Sequence, residues 1–191
     1  MQHVDDAGAP GLARVVLKEV VLGLHWDPPA EGARAQPPDL DALCVLLDAQ
    51  GELVDLVHPG RLRTANDSVI HTGDALTGAS LWDDERIFVF LDALPASVCT
   101  VAFFVVSASG HPFHDVRGAW CHLSDHASGR EWLRKDLTLL EGRLGEAVCT
   151  LRRNQTDWTV SSDTCAVPMG LAAELGAIQV RGPGGDDRNA A

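Results

Sequence analysis

Two short, continuously apolar runs constrain the fold of this 191-residue chain more than any other feature. Residues 86–91 read RIFVFL and residues 100–107 read TVAFFVVS, and both are rich in β-branched and aromatic side chains. Such runs are typical of β-strands. Because neither run alternates with polar residues, neither suits an exposed edge, and both are predicted to be strands inside a core.

The remaining patterns predict further short strands and very little helix. Loops rich in glycine, proline and aspartate separate the apolar segments, most clearly at residues 27–38, which contain four prolines. Only residues 169–178 (MGLAAELGAI) have a helical pattern. This succession predicts an all-β fold, an antiparallel sandwich or barrel with one short C-terminal helix, rather than an α/β fold. The further predicted strands cover residues 14–26, 40–47, 52–57, 68–71, 116–123, 132–137, 146–152 and 157–162.

The length and composition match one ordinary globular domain. Hydrophobic residues make up 46% of the chain and charged residues 22%, and neither a second core nor an internal repeat is visible. We expect a flexible N-terminus over residues 1–13, a single domain over residues 14–180 and a disordered tail over residues 181–191.

The net charge of −12 (15 basic minus 27 acidic residues) argues against two classes of partner. An acidic surface repels phosphate, so neither nucleic acid nor an anionic membrane is an expected direct partner. The excess is concentrated in residues 36–92, where eleven acidic residues face three basic ones. This concentration indicates either a solvated acidic face or a site for a cation.

The N-terminus and the cysteines predict a cytoplasmic protein. No secretory signal and no apolar stretch of ~20 residues, as a membrane helix requires, is visible. The cysteine count is odd and no pair has CxxC spacing, which fits free thiols in a reducing compartment. The five cysteines are Cys44, Cys99, Cys121, Cys149 and Cys165.

The acidic residues of this region form the most specific pattern in the chain. Asp39 and Asp41 are two apart at the start of a predicted strand, so both side chains would leave the same face. Asp67 lies in a turn, Asp74 follows a glycine, and the run 83–85 (Asp83, Asp84 and Glu85) precedes a core strand. Carboxylates in loops at strand ends are ligands that calcium prefers. The alternative is that these side chains never converge and serve as caps, turn residues or exposed charges.

At these residues the chain resembles the TerD family of tellurium-resistance and stress proteins. Residues 68–78 (SVIHTGDALTG), followed by the DDE of residues 83–85, are similar to the family motif SVxHTGDNxTGxGxGDDE. Residues 22–27 (LGLHWD), 39–42 (DLDA) and 46–51 (LLDAQG) precede the motif in the family's order. The resemblance spans roughly residues 15–164. It implies a β-sandwich, calcium binding in acidic loops, no known catalytic activity, and a cytoplasmic role in metal, phage or envelope stress.

The resemblance also implies a set of metal ligands. The positions that match the family's acidic motif, with Asp67 matching an acid in the preceding turn, are Asp39, Asp41, Asp67, Asp74, Asp83, Asp84 and Glu85.

The chain departs from the family motif at the loop that would complete such a site. Ala75 replaces the usual asparagine, and residues 79–82 read ASLW where the family usually has EGDG. Leu81 and Trp82 offer no side-chain oxygen, so calcium affinity is expected near ~10⁻⁴–10⁻³ M, or one of two sites is lost. The same two side chains could instead form a contact patch for a partner.

Three functions therefore remain open. The first is a non-enzymatic stress-response protein that binds calcium, and possible partners are the ion itself and another stress-response protein. The second is a metal-independent interaction module that uses the same loop end. The third is a small hydrolase, although no nucleophile, phosphate-loop or dinucleotide-binding motif is present. The histidine spacings, including the HxxH of His111 and His114, lack a third ligand for a transition metal. His71, inside the acidic motif, is predicted to be structural.

Overall fold

The computed structural model describes residues 17–32, 36–155 and 157–161, and within them the chain forms ten strands. Single-turn 3-10 segments at Leu91–Ala93, Phe113–Asp115 and Leu137–Leu139 are the only helical elements in these ranges. None of them is long or apolar enough to cross a bilayer. The strands are β1 (Glu19–His25), β2 (Leu40–Leu47), β3 (Leu53–Val57), β4 (Val69–His71), β5 (Glu85–Phe90), β6 (Thr100–Ser107), β7 (Trp120–Asp125), β8 (Glu131–Asp136), β9 (Gly145–Asn154) and β10 (Asp157–Ser161).

The strands form two antiparallel five-stranded sheets, which confirms the all-β prediction. Sheet 1 has the order β4-β5-β1-β7-β8, and sheet 2 has the order β10-β9-β6-β2-β3. The predicted strand positions agree with the structure to within a few residues, apart from the first, which begins at Glu19. The predicted helix at 169–178, the N-terminus over 1–13 and the tail over 181–191 lie outside the described residues.

The main core lies between the two sheets. Alternate residues of β1 and β5, such as Leu22 and Ile87, face the inner side chains of β6, such as Phe103 and Val105, and all are fully buried. This arrangement follows from the two-residue period of a strand, which places every second side chain on one face. The sandwich therefore has one continuous apolar layer along its length.

Sheet 2 also buries its other face. All eight residues of β2 and all eight of β6 are buried. A second apolar cluster contains the residues of these strands that alternate with the core-facing ones, among them Leu43, Val45 and Phe104. Two-sided burial explains why residues 100–107 are apolar throughout, because no position of the strand faces water.

Strand ends from both sheets meet where the acidic residues lie. β2 begins, β1 ends and β5 begins at this end of the sandwich, and Leu24 pairs with Glu85 in sheet 1. Residues 72–84 connect β4 to β5 around it. Gly78 in this loop has a φ of +58°, and a Cβ there would lie 2.3 Å from the Trp26 ring, so glycine lets the loop close over that buried indole.

The neighbours Phe103 and Phe104 test the two-sided burial of sheet 2. Phe103→Ala and Phe104→Ala should each lower the free energy of unfolding by about 3–5 kcal/mol, since each removes a buried ring and leaves a cavity. Chemical denaturation of both variants measures the two losses. A loss below about 1 kcal/mol for Phe104→Ala alone would contradict burial of the outer face.

Candidate metal centre

Three aspartates converge at the shared end of the two sheets. One carboxylate oxygen from each of Asp39, Asp41 and Asp74 lies within 4.8 Å of the other two. Asp39 directly precedes β2, Asp41 is the second residue of that strand, and Asp74 comes from the loop of residues 72–84. Asp41 is 7% exposed, Asp39 is half-buried and Asp74 is exposed. The cluster is therefore a partly covered acidic cup, open to solvent on the Asp74 side.

Several backbone hydrogen bonds hold Asp39 in place. Its N–H donates to Ser109 Oγ at 3.0 Å, and its carbonyl accepts from the Ala108 N–H at 2.9 Å. The buried Trp26 indole donates to the carbonyl of Pro38 at 3.2 Å. In contrast, Oδ1 of the Asp39 side chain is buried and has no hydrogen-bond partner. A buried acceptor without a donor is costly, and a cation would satisfy it.

The electrostatics of the cluster favour a positive ion. Burial, and then the charges of Glu85, Asp39 and Asp74, raise the pKa of Asp41 to about 8. Burial, and then Asp74 and Glu85, raise the pKa of Asp39 to about 6. Two carboxylates ~4 Å apart repel by ~4 kcal/mol at an effective dielectric of about 20. A shared proton or a cation would relieve this repulsion.

The residues present fit a hard cation. Each converging side chain offers carboxylate oxygen, and among the described residues no histidine or cysteine joins a group of three that could bind a metal. Oxygen-only donor sets suit calcium or magnesium rather than zinc or copper.

Glu85 lies beside the cluster but does not join it. Its side chain is fully buried, Oε2 accepts from the Ala42 N–H at 2.8 Å, and Oε1 accepts from the Ala75 N–H at 3.2 Å. His71 Nε2 lies 3.3 Å from Oε2. Burial raises the pKa of Glu85, although His71 and the two amides act against that rise. Each carboxylate oxygen accepts one backbone hydrogen bond, and Glu85 lies outside the converging group of three, so its assignment as a ligand stays a prediction.

Asp84 is likewise committed to other partners. Its carboxylate accepts from the backbone N–H groups of Trp26 at 3.0 Å and Ser80 at 2.9 Å, and His25 Nδ1 lies 3.0 Å away. It therefore fixes the end of the 72–84 loop against the end of β1 and does not join the converging group.

Asp83 faces the outer surface of sheet 1. It accepts from Arg86 Nε at 2.8 Å and lies 3.1 Å from His122 Nε2. Burial alone would raise the pKa of Asp83, but the hydrogen bonds and charges of His122 and Arg86 lower it. A carboxylate held in this way is ionised and balanced by its neighbours, and it does not join the cluster.

Asp67 lies at the opposite end of sheet 1. It sits in the turn before β4, next to Ser68, whose carbonyl accepts from the N–H of Phe90 at the far end of β5. Its carboxylate pairs with Arg63 at 3.1 Å, and both side chains are exposed. The structure therefore does not bring Asp67 together with the other acids. Because β4 is antiparallel to β5, the turn before β4 lies where β5 ends, whereas the acidic cluster lies where β5 begins.

The 72–84 loop also carries a solvent-exposed apolar tip. Leu81 is 93% exposed and Trp82 is 75% exposed, while Leu76 earlier in the loop is 58% exposed. The Trp82 carbonyl lies 2.6 Å from His25 Nδ1, so the backbone is tied down while the side chains point outward. Neither Leu81 nor Trp82 has a side-chain oxygen, so neither side chain can supply a ligand atom for a hard cation.

A row of polar side chains on sheet 1 was not anticipated from the sequence. His122 lies between Ser124 Oγ, 2.5 Å from Nδ1, and Asp83, 3.1 Å from Nε2. The imidazole lies over Gly23, where a Cβ would come within 2.1 Å of Nε2. A nucleophilic serine has to be accessible, whereas Ser124 is buried and Asp83 is shared with Arg86. The row is thus better explained as a surface hydrogen-bond network than as a hydrolytic triad.

Comparisons with known proteins agree with the motif and the fold. The TerD domain model matches residues 12–179. The chain is 38% identical to tellurium resistance protein TerZ of Serratia marcescens over 149 residues, which is 74% of this chain and 77% of that protein. It is 34% identical to general stress protein 16U of Bacillus subtilis (strain 168) over 128 residues, 63% of this chain and 66% of that protein.

A solved structure shares the architecture. The crystal structure of a homologue of the telluride resistance protein TerD from Streptomyces coelicolor A3(2) aligns with a TM-score of 0.70. The alignment covers 84% of this chain and 98% of that one at 23% identity, which supports the fold alone. Together with the domain match, these relatives place the chain in the TerD family of tellurium-resistance and general stress proteins.

Proposed function

We propose that this protein acts without catalysis in a stress response and binds calcium through Asp39, Asp41 and Asp74. The observation that carries the proposal is the convergence of three carboxylates, one of which, that of Asp39, has a buried oxygen without a hydrogen-bond donor. The cluster is partly covered, so water and backbone carbonyls would have to complete the coordination of the ion.

Calcium is favoured over magnesium by the shape of the donor set. Magnesium demands near-ideal octahedral geometry and keeps most of its water, whereas calcium accepts irregular sets of six to eight oxygens. Three carboxylates from one strand and one loop form such an irregular set. With Asp83, Asp84 and Glu85 held by other partners, we propose one ion and an affinity near ~10⁻⁴–10⁻³ M.

Binding would act on the loop that carries Asp74. A cation between Asp74 and the pair Asp39 and Asp41 would replace their repulsion with shared attraction and tie residues 72–84 to sheet 2. The exposed Leu81 and Trp82 belong to the same loop, so ion binding would set the position of the apolar tip. We further propose a cytoplasmic location, which is supported by the free thiols of Cys44, Cys99, Cys121 and Cys149.

The second candidate function is a metal-independent interaction module. Its support is the exposure of Leu81 and Trp82 at a loop tip, since large apolar side chains grouped in this way are typical of contact sites. No described feature favours the third candidate, a hydrolase.

Calcium titration tests the metal site directly. If the dissociation constant is ~10⁻⁴ M, about 10 mM calcium should add ~2.7 kcal/mol to the free energy of unfolding and raise Tm by roughly 5–10 °C. Asp41→Asn and Asp74→Asn should each abolish the rise. Asp67→Asn is the matched control, because it removes the same charge at the other end of sheet 1. A wild-type Tm that calcium leaves unchanged would refute the site.

The pH dependence of stability provides an independent test without calcium. The folded-state pKa values of Asp39 and Asp41, about 6 and about 8, exceed the ordinary value of 3.8. The folded state therefore binds protons more tightly, so this contribution to stability is complete below pH ~4 and is lost as pH rises through ~6 and ~8.

Wild-type Tm in chelator should accordingly fall between pH 5 and pH 9 by more than the Tm of Asp41→Asn does. Saturating calcium should reduce the fall in wild-type Tm, because the ion balances the carboxylate charges, and should leave the fall of Asp41→Asn unchanged. Melting curves recorded between pH 5 and pH 9, with chelator and with calcium, measure the change in Tm of each protein. If the Tm of wild-type protein and the Tm of Asp41→Asn fall equally with rising pH in chelator, the electrostatic account of the cluster is contradicted.

Photo-crosslinking tests the interaction module. A benzoylphenylalanine at position 82 should capture a defined partner in source cells, with and without chelator. The same change at Leu139, also 75% exposed but away from the loop, is the matched control. Capture that depends on calcium would reject metal independence, and identical products from both positions would reject the tip as a specific contact.

A further inference from the structure

We infer that Glu85 is a positioning residue for the metal centre, because its buried carboxylate sets where Asp41 and Asp74 stand relative to each other. The inference rests on the proposed calcium site and assigns to the glutamate of the DDE run a role other than ligation.

The first step concerns which amides Glu85 holds. Its two oxygens accept from the N–H groups of Ala42 and Ala75, the residues that directly follow Asp41 and Asp74. Each amide nitrogen shares a planar peptide unit with the carbonyl carbon of the preceding aspartate. Fixing these two amides therefore fixes the backbone of both aspartates, one in sheet 2 and one in the loop.

The second step concerns His71, which lies beside Glu85 and holds the other side of Asp74. His71 Nδ1 accepts from the N–H of Gly73 at 3.0 Å, so the ring proton resides on Nε2, 3.3 Å from Glu85. Asp74 is thereby flanked by two anchored amides, at Gly73 through His71 and at Ala75 through Glu85. This explains how a loop residue with an exposed side chain keeps a defined position beside two like charges.

The third step is that neither a shorter nor a neutral side chain at position 85 can accept hydrogen bonds from both amides. Aspartate keeps the charge, but it is one methylene shorter and cannot reach both amides. Glutamine keeps the length, but it offers one acceptor oxygen and turns an NH₂ group toward the other N–H. The two substitutions therefore separate the charge of Glu85 from its reach.

Terbium luminescence on the purified full chain measures the effect. Terbium bound at the site, and displaced by calcium, reports affinity, and its decay in H₂O and D₂O reports the number of bound waters. Glu85→Asp and Glu85→Gln should each weaken binding about 10–100-fold, as supporting residues of metal sites do, and should raise the number of bound waters. Glu131→Asp and Glu131→Gln, at an exposed acid paired with Arg134, should change neither.

A Glu85→Asp variant with wild-type affinity and hydration would overturn the inference. So would weaker binding by Glu85→Gln alone with unchanged hydration, because that pattern indicates a loss of charge rather than of position. If wild-type protein fails to bind either ion, the calcium proposal fails.

Amide hydrogen exchange tests the positioning role without metal and without any variant. In wild-type protein in chelator, the Ala75 amide should exchange at least tenfold more slowly than those of Leu76 and Thr77 in the same loop. Exchange as fast as these neighbours would refute the anchor, even if the Glu85 variants fail to fold. Where they fold, loss of Ala75 protection in Glu85→Asp would support it.

Discussion

Burial of β2 on both faces is the constraint on which the acidic centre depends. Every residue of this strand from Leu40 to Leu47 is buried, so the strand cannot slip or tilt without exposing apolar surface. Its second residue, Asp41, is consequently held in a place that a carboxylate would otherwise avoid. The raised pKa of Asp41 is the direct cost of this arrangement, and a proton or a cation relieves it.

The acidic residues at this end divide into two groups with different roles. Asp39, Asp41 and Asp74 face one another and leave oxygen atoms for an ion. In the DDE run, Asp83 pairs with side chains on sheet 1, while Asp84 and Glu85 accept backbone hydrogen bonds that tie the loop to the strands. Acidic residues thus supply both the candidate ligands and the hydrogen bonds that hold the surrounding loop and strands in place.

The loop of residues 72–84 contributes to both the acidic cluster and an exposed apolar tip. Where the TerD motif usually has further acidic residues and glycines, this chain has ASLW, and the two large side chains stand in solvent. Because the ASLW segment lacks side-chain carboxylates, the converging group contains three aspartates. The large side chains of the same segment give the loop an apolar surface that a partner could cover. Both properties depend on the loop being held at Asp84 and Glu85.

The strands and the first two acids of the cluster could be predicted from the sequence because their signals are local. Apolar runs and turn residues located the strands, and the two-residue period placed Asp39 and Asp41 on one face. Asp74 was picked out because it follows a glycine in an acidic loop and matches the family motif, but neither signal showed which acids it would meet. No local signal in the sequence showed that Asp67 lies apart from the other acids. Nor did any show which hydrogen-bond partners hold Asp83, Asp84 and Glu85. Their partners lie elsewhere in the chain: Ala42 is 43 residues from Glu85, Trp26 is 58 from Asp84 and His122 is 39 from Asp83.

The sequence alone therefore determined an all-β TerD-type chain with an acidic region and an apolar loop tip. The tertiary structure decided which carboxylates converge and which accept hydrogen bonds from other groups. The physical reason is that a carboxylate becomes a free ligand or a structural acceptor according to the donors around it. Every residue except proline has the same backbone N–H group, so the sequence does not show which amide a given acid will meet. The packing of the two sheets determines that pairing.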